Sequence, residues 1–302
     1  MMLIENFNKH IHQIWFQKPD SNYGIGCIGN KDYIEFSNSH KDFCDKKGWG
    51  YTLWNETTVL TLIKEHFPER LEEYKTITGV IKKVDCARLM ILYVYGGLYL
   101  DMDTVIKRDL DEFLNLTTIV RDDYPFSDWH IAPELKIQNS YDIIVGQEKT
   151  VYEYHYNKYG LVIPKLNNAV IFAKKEYRLF LEILDLGFKR KDNTILNSFG
   201  VHTFSLKLYQ EMNKQISGML DADDYAATSN ILTTPTVYFY EVDTDADWYE
   251  KGGGNPIHKN SPNQYILHFF DGDWDENTYG DFLLNEVPGE TLDAAGGDWY
   301  ED

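Results

Sequence analysis

The run DCARLMILYVYGGLYLDMDTV, residues 85–105, constrains this chain more than any other stretch. Around it, apolar residues recur at Val80, Val84, Ala87, Ile91 and Val94, spacings of three and four that predict an amphipathic helix over 80–95. Gly96 stands where a left-handed C-terminal cap is wanted, and Gly97 permits a tight reversal. LYLDMD then reads as a short buried strand that runs into acidic residues. Two carboxylates two apart on a strand share a face while Met102 points the other way, so Asp101 and Asp103 can reach one ion together. Such oxygen ligands suit Mg²⁺ or Mn²⁺, whose shell is usually shared with substrate phosphates. Standing alone, the acidic pair reads as a solvated strand end. Asp85 and Arg88, at i and i+3, share one face of the preceding helix. In an otherwise apolar pattern an acid and a base are costly unless paired or used. A purely structural salt bridge between them is the plain alternative.

The rest of the chain alternates strand and helix signals. HIHQIWF at the start is rich in β-formers and predicts a first strand. A loop with Gly24, Gly26 and Gly29 follows, then a helix over 31–46 and a second strand at GYTLW (50–54). Strand, helix, strand at the N-terminus predicts a mixed α/β domain with parallel pairing. Residues 57–77 are expected to be mostly helical, interrupted at Pro68. Further strands are expected at NAVIFA (168–173), TVYFYEV (236–242) and QYILHFF (264–270), with a helix over 175–185. Residues 251–262, with three glycines and two prolines, read as a loop.

Composition narrows the function classes. A chain of 302 residues with 43% hydrophobic content can bury a sizeable core. Lys and Arg number 29 against 48 Asp and Glu, a net charge of -19, which argues against nucleic acid as the main partner. From Asp271 onward there are eleven acids and no Lys or Arg, so a solvated acidic tail is expected over 276–302, behind a domain over 1–275. Cys27, Cys44 and Cys86 lack framework spacing and read as reduced thiols. No charged leader followed by an apolar run is visible, and the longest apolar stretch, 89–100, is too short to span a bilayer. A cytoplasmic protein without a transmembrane segment is the expectation.

The run 85–105 resembles the DxD region of glycosyltransferase family 32, with its Asp-x-x-Arg helix, Gly-Gly turn and strand ending in Asp-x-Asp. That family includes fungal Golgi mannosyltransferases and bacterial capsule enzymes and is related to the glucosylating clostridial toxins. HQIWF (12–16) is similar to the family's first strand and YTLWNE (51–56) to its second. LNNAVIFAKK (166–175) resembles the segment that carries a donor-binding Asn. YILHFFDGDW (265–274) resembles the closing motif, which contains a His and ends in Trp. The resemblance implies a GT-A-type, Rossmann-like mixed sheet flanked by helices, with helical insertions.

It also implies roles. Trp15 would stack on the nucleotide base, with core packing as the alternative. Asp85 and Arg88 would bind hydroxyls of the donor sugar, and Asn168, or its neighbour Asn167, would face that sugar. Asp101, Asp103 and His268 would hold Mn²⁺ or Mg²⁺, with Asp101 also near the ribose. Trp274 would touch the diphosphate or the glycosidic oxygen. Asp85, Arg88, Asp103 and Trp274 are thereby the implied catalytic set. Asp273 departs from the family pattern, where a small Ser is common. The implied reaction is retaining transfer of a hexose from a nucleotide sugar, a UDP-sugar first and GDP-mannose second, to a glycan or glycoconjugate acceptor. Two readings compete: an aspartyl-nucleophile phosphatase using Asp101, because DMDTV loosely fits that signature, and a non-catalytic sugar-nucleotide or glycan-binding protein on the same fold.

Overall fold

The computed structural model describes residues 2–16, 31–120, 134–137, 139–147, 166–216, 230–234, 238–239 and 263–268. The chain divides into two units, Met1–Phe269 and Phe270–Asp302. The second, which contains the expected acidic tail, lies outside the described residues.

The first unit is built on a six-stranded mixed sheet. Its strands are β1 (His10–Ile14), β2 (Gly50–Trp54), β3 (Gly97–Leu100), β7 (Ile143–Gln147), β8 (Leu166–Ala173) and β9 (Ile231–Thr234), in the order β2-β1-β3-β8-β7-β9. β1 pairs in parallel with both β2 and β3, as the strand–helix–strand reading requires. β8 then runs antiparallel to β3 and to β7, and β7 is parallel to β9. Two small antiparallel pairs lie beside it: β4 (Thr104–Ile106) with β10 (Ile266–His268), and β5 (Thr118–Val120) with β6 (Glu134–Lys136).

Strand alternation divides the core into two layers. Tyr99, Ile171 and Ala173 face a cluster supplied by α2 (Glu56–His66), α4 (Val80–Tyr95), α6 (Leu179–Lys189) and α7 (Val201–Ile216). Leu98, Leu100, Val170 and Phe172 face the other cluster, with Cys44 of α1 (Lys31–Lys47) and Phe113 of α5 (Leu110–Leu114). Covered on both faces, the central strands read as apolar runs rather than as alternating patterns. α4 is buried over 11 of its 16 residues. That burial is why an ion pair on it cannot be a mere surface contact.

Most of the expected elements are found where the residues place them. β2 and α4 occupy the predicted ranges, and Pro68 breaks the second helical region into α2, a 3-10 turn at Pro68–Arg70, and the short α3 (Leu71–Lys75). Asn55 caps α2, accepting from the Thr58 amide at 3.0 Å, while the Thr58 hydroxyl accepts from the Asn55 amide at 2.9 Å. Corrections are also needed. The helix expected over 175–185 runs Leu179–Lys189, because Glu176 takes a positive φ of 60° and delays its start. Of the strand expected over 236–242, only Tyr238 and Phe239 are described, and they lie in a turn. β6, β7, β9 and α7 have no counterpart in the sequence reading. Cys44 and Cys86 are free, buried thiols; Cys27 lies outside the described residues. Among the described residues no helix is long and apolar enough to cross a membrane.

Candidate functional site

Parallel pairing of β1, β2 and β3 brings their C-terminal ends to one edge of the sheet. In open α/β sheets that edge is where ligands bind. Trp15 follows β1 there and Asp101 follows β3. Trp15 is half-buried; its amide donates to the Trp54 carbonyl at 2.8 Å, and its ring meets that of Tyr33 edge-on, with centroids 5.6 Å apart.

The acidic pair sits differently from its expected place. β3 ends at Leu100, so Asp101 and Asp103 are not on a strand but in the turn that leads to β4. Pleating therefore does not align them. The turn does, with the Thr104 hydroxyl donating to the Asp101 carbonyl at 2.7 Å. β10 lies antiparallel on β4 with His268 opposite Thr104, which delivers the imidazole beside Asp103, Nε2 to Oδ1 3.2 Å. One ligand atom from each of Asp101, Asp103 and His268 falls within 4.8 Å of the others.

Behind this trio lies a buried charge cluster. Arg88 reaches Asp85 at 2.8 Å and Asp101 at 3.3 Å, and it donates to the Asn168 carbonyl. The side chains of Asp85 and Arg88 are each 5% exposed. Asn168 Nδ2 donates to Asp85 Oδ1 at 3.1 Å, whereas Asn167 turns back to accept from the Ala169 amide. Of the two asparagines, Asn168 is the one that faces Asp85. Trp274 and Asp273 lie outside the described residues.

Two neighbours escaped the sequence reading. The Tyr99 hydroxyl donates to Asp101 Oδ1 at 2.6 Å, and the Arg88 guanidinium lies over the Tyr99 ring at 4.6 Å. Its signal was available, since Tyr99 stands two before Asp101. Gln13, a fully buried polar residue of β1, donates to the Asp101 carbonyl at 3.1 Å.

The electrostatics follow from burial. Desolvation pushes the Asp85 carboxyl up to about 6, against the pull of Arg88. Burial also raises the Asp101 carboxyl; Arg88 draws it back and Asp103 adds to the rise. Burial works against the Arg88 charge, but Asp101, Tyr99 and Asp85 outweigh it, so the guanidinium stays charged. Three carboxylates thus face one guanidinium. An excess of negative charge beside two carboxylates and an imidazole fits a divalent cation, and the oxygen-rich donor set with one nitrogen fits Mn²⁺ or Mg²⁺.

Comparison with known proteins reaches the part of this site formed by Asp85, Arg88, Asp101 and Asp103. Residues 30–120 match the family model described as the glycosyltransferase sugar-binding region containing DXD motif. Over that segment the chain is similar to this family of DXD-containing glycosyltransferases. It is 27% identical over 117 residues to inositol phosphoceramide mannosyltransferase 1 of Schizosaccharomyces pombe, covering 39% of this chain and 34% of that protein. It is 36% identical over 109 residues to the uncharacterized glycosyltransferase L373 of Acanthamoeba polyphaga mimivirus, covering 35% and 39%. The matches therefore span between a third and two fifths of these relatives' length. Among solved structures, the PaToxG glycosyltransferase is similar at 17% identity and a TM-score of 0.44, covering 72% of this chain and 75% of that one.

Proposed function

We propose that this chain is a divalent-metal-dependent glycosyltransferase of GT-A type that moves a hexose from a nucleotide sugar to a hydroxyl acceptor on a glycan or glycoconjugate, with retention of configuration. One observation carries the reading: the Asp101, Asp103 and His268 donor atoms converge within 4.8 Å of one another, with the buried Asp85–Arg88–Asn168 cluster bound to Asp101. The relative named as an inositol phosphoceramide mannosyltransferase makes a mannosyl nucleotide the first donor to test, beside the UDP-sugars. The domain over 1–275 carries this site and the acidic stretch 276–302 follows it.

Asp101, Asp103 and His268 would hold the cation, which when bound supplies Lewis-acid stabilisation to the departing diphosphate. The chain's own residues prepare the rest. Arg88 is fixed by Asp85, Asp101 and the Asn168 carbonyl, so its charge is placed before a donor arrives and needs no reorganisation. Asp85 and Asn168 present an acceptor and a donor to sugar hydroxyls. Trp15 offers an indole face to the base at the same sheet edge. No side chain is assigned as a covalent nucleophile. For the phosphatase alternative Asp101 would have to attack, yet its Oδ1 is taken by the Tyr99 hydroxyl and the Arg88 guanidinium.

Hydrolysis of a panel of nucleotide sugars, with Mn²⁺ and with excess chelator, tests the reading. Turnover is expected with Mn²⁺ and not with chelator. Asp103→Asn is expected to lose more than about tenfold in rate, above roughly 1.4 kcal/mol in the barrier, because one charged ligand is removed. Full turnover in chelator would overturn the metal assignment, and a trapped aspartyl-phosphate on Asp101 would favour the phosphatase.

A further inference from the structure

β1 carries a glutamine where an apolar side chain would fit. Gln13 has no exposed surface and alternates with Ile11 onto the face that holds Leu98 and Leu100. A buried amide there is costly unless its hydrogen bonds are made. They are: Nε2 donates to the Asp101 carbonyl at 3.1 Å, and Oε1 accepts from the Tyr51 hydroxyl at 2.8 Å and from His40 Nδ1 at 3.1 Å. Only this orientation works, because the flipped amide would set Oε1 against a carbonyl oxygen. It dictates the rest of the network. His40 must carry its proton on Nδ1, and burial lowers its pKa to about 3, so it is neutral. The Ser37 hydroxyl, 2.6 Å from that of Tyr51, supplies the proton of their contact, since the Tyr51 proton is directed to Gln13.

Asp101 is consequently held by its backbone from several directions. Its amide donates to the Ala169 carbonyl of β8 at 2.9 Å, and its carbonyl accepts from Gln13 and from the Thr104 hydroxyl. With the peptide unit before Asp101 tied to β8 and the one after it tied to β1 and β4, the backbone here cannot swing, and the two carboxylates that leave this turn inherit its direction. We propose that Gln13, clamped by Tyr51 and His40, is a positioning residue for the cation site of Asp101, Asp103 and His268. It contacts neither ion nor donor; it holds the turn that aims the carboxylates. This inference rests on the reading of that site as a divalent-cation centre.

The test is Mn²⁺ affinity of the full chain, read as loss of the free Mn²⁺ EPR signal in saturating UDP or GDP, far below the melting temperature. Gln13→Leu and Gln13→Glu are expected to weaken Mn²⁺ binding about tenfold, the lower end of what residues supporting metal ligands usually contribute. Tyr51→Phe should weaken it in the same direction and less. The double variant should bind no more weakly than Gln13→Leu alone, because Tyr51 acts through Gln13 and the effects do not add. A folded Gln13→Leu that binds Mn²⁺ as tightly as wild type would overturn the proposal. Should the Gln13 variants fail to fold, Tyr51→Phe decides, and unchanged affinity there overturns it equally. A wild-type chain that takes up no Mn²⁺ removes the cation site itself, a result distinct from equal binding by wild type and variant.

Discussion

Arg88 is the residue on which the site's stability turns. It is the guanidinium that compensates two carboxylates, the buried Asp85 and the partly exposed Asp101. Removing one member of a buried pair leaves an uncompensated charge, at a cost of about 3–5 kcal/mol. Arg88→Met is therefore expected to lower unfolding free energy by about that much in urea titrations at pH 7. The loss should shrink at pH 5, because Asp85 already has a raised pKa of about 6 and sheds its charge there. Adding Asp85→Asn to Arg88→Met should recover part of it; no recovery would show that the two residues do not act as a pair. At this scale the sequence was legible where chemistry is local. The i, i+3 spacing placed Asp85 and Arg88 on one face, and they do pair. It could not show that Asn168, eighty-three residues beyond Asp85, would donate to that carboxylate.

Elements are placed by the glycine pair after α4. Gly96 and Gly97 have φ of 63° and 95°, conformations that side chains resist. A Cβ on Gly97 would stand 2.5 Å from the His10 carbonyl oxygen, and one on Gly96 2.5 Å from the Lys175 amide nitrogen. Neither neighbour is a flexible side chain, so backbone must move. Gly97→Ala is expected to cost at least about 2 kcal/mol, from strain at positive φ together with displacement of β1 from β3. Chemical denaturation checks this, and a loss below about 0.5 kcal/mol, ordinary for a tolerated substitution, would contradict the close approach. The helix, the reversal and the following strand were all legible because capping and periodicity are local. The position of the acids was not. Alternation predicted a strand that continues through Asp103, but β3 ends at Leu100, and the hydrogen bonds of Gln13 and Thr104 to the Asp101 carbonyl close a turn instead.

For the whole molecule, two histidines buried as neutral groups decide the response to acid. Burial lowers His12 and His40 to about 3, below the ordinary value of 6.5. Between those limits the unfolded chain binds more protons than the native one, so stability falls as pH drops from about 6.5 toward 3. Between pH 7 and 5 the loss is about 2 kcal/mol per imidazole. Asp85 works the other way. Its folded pKa of about 6 lies above the usual carboxylate value, so its ionisation destabilises the native state as pH rises from about 4 to 6, and acidification returns about 1 kcal/mol. The balance is a net loss on going from pH 7 to 5, measurable by urea unfolding at the two values; equal or greater stability at pH 5 would contradict the neutral burial of the histidines.

The sequence alone determined the elements whose signals are local: the periodic helix, its glycine stop, the first two strands, and the pairing of Asp85 with Arg88. Tertiary structure decided which of these meet. The antiparallel pairing of β10 with β4 brings His268 to Asp103 across more than 150 residues of chain. The parallel pairing of β1 with β3 sets Gln13 beneath Asp101. Such meetings are set by sheet register and by packing on both faces, which depend on every strand at once, so no window of neighbouring residues contains them.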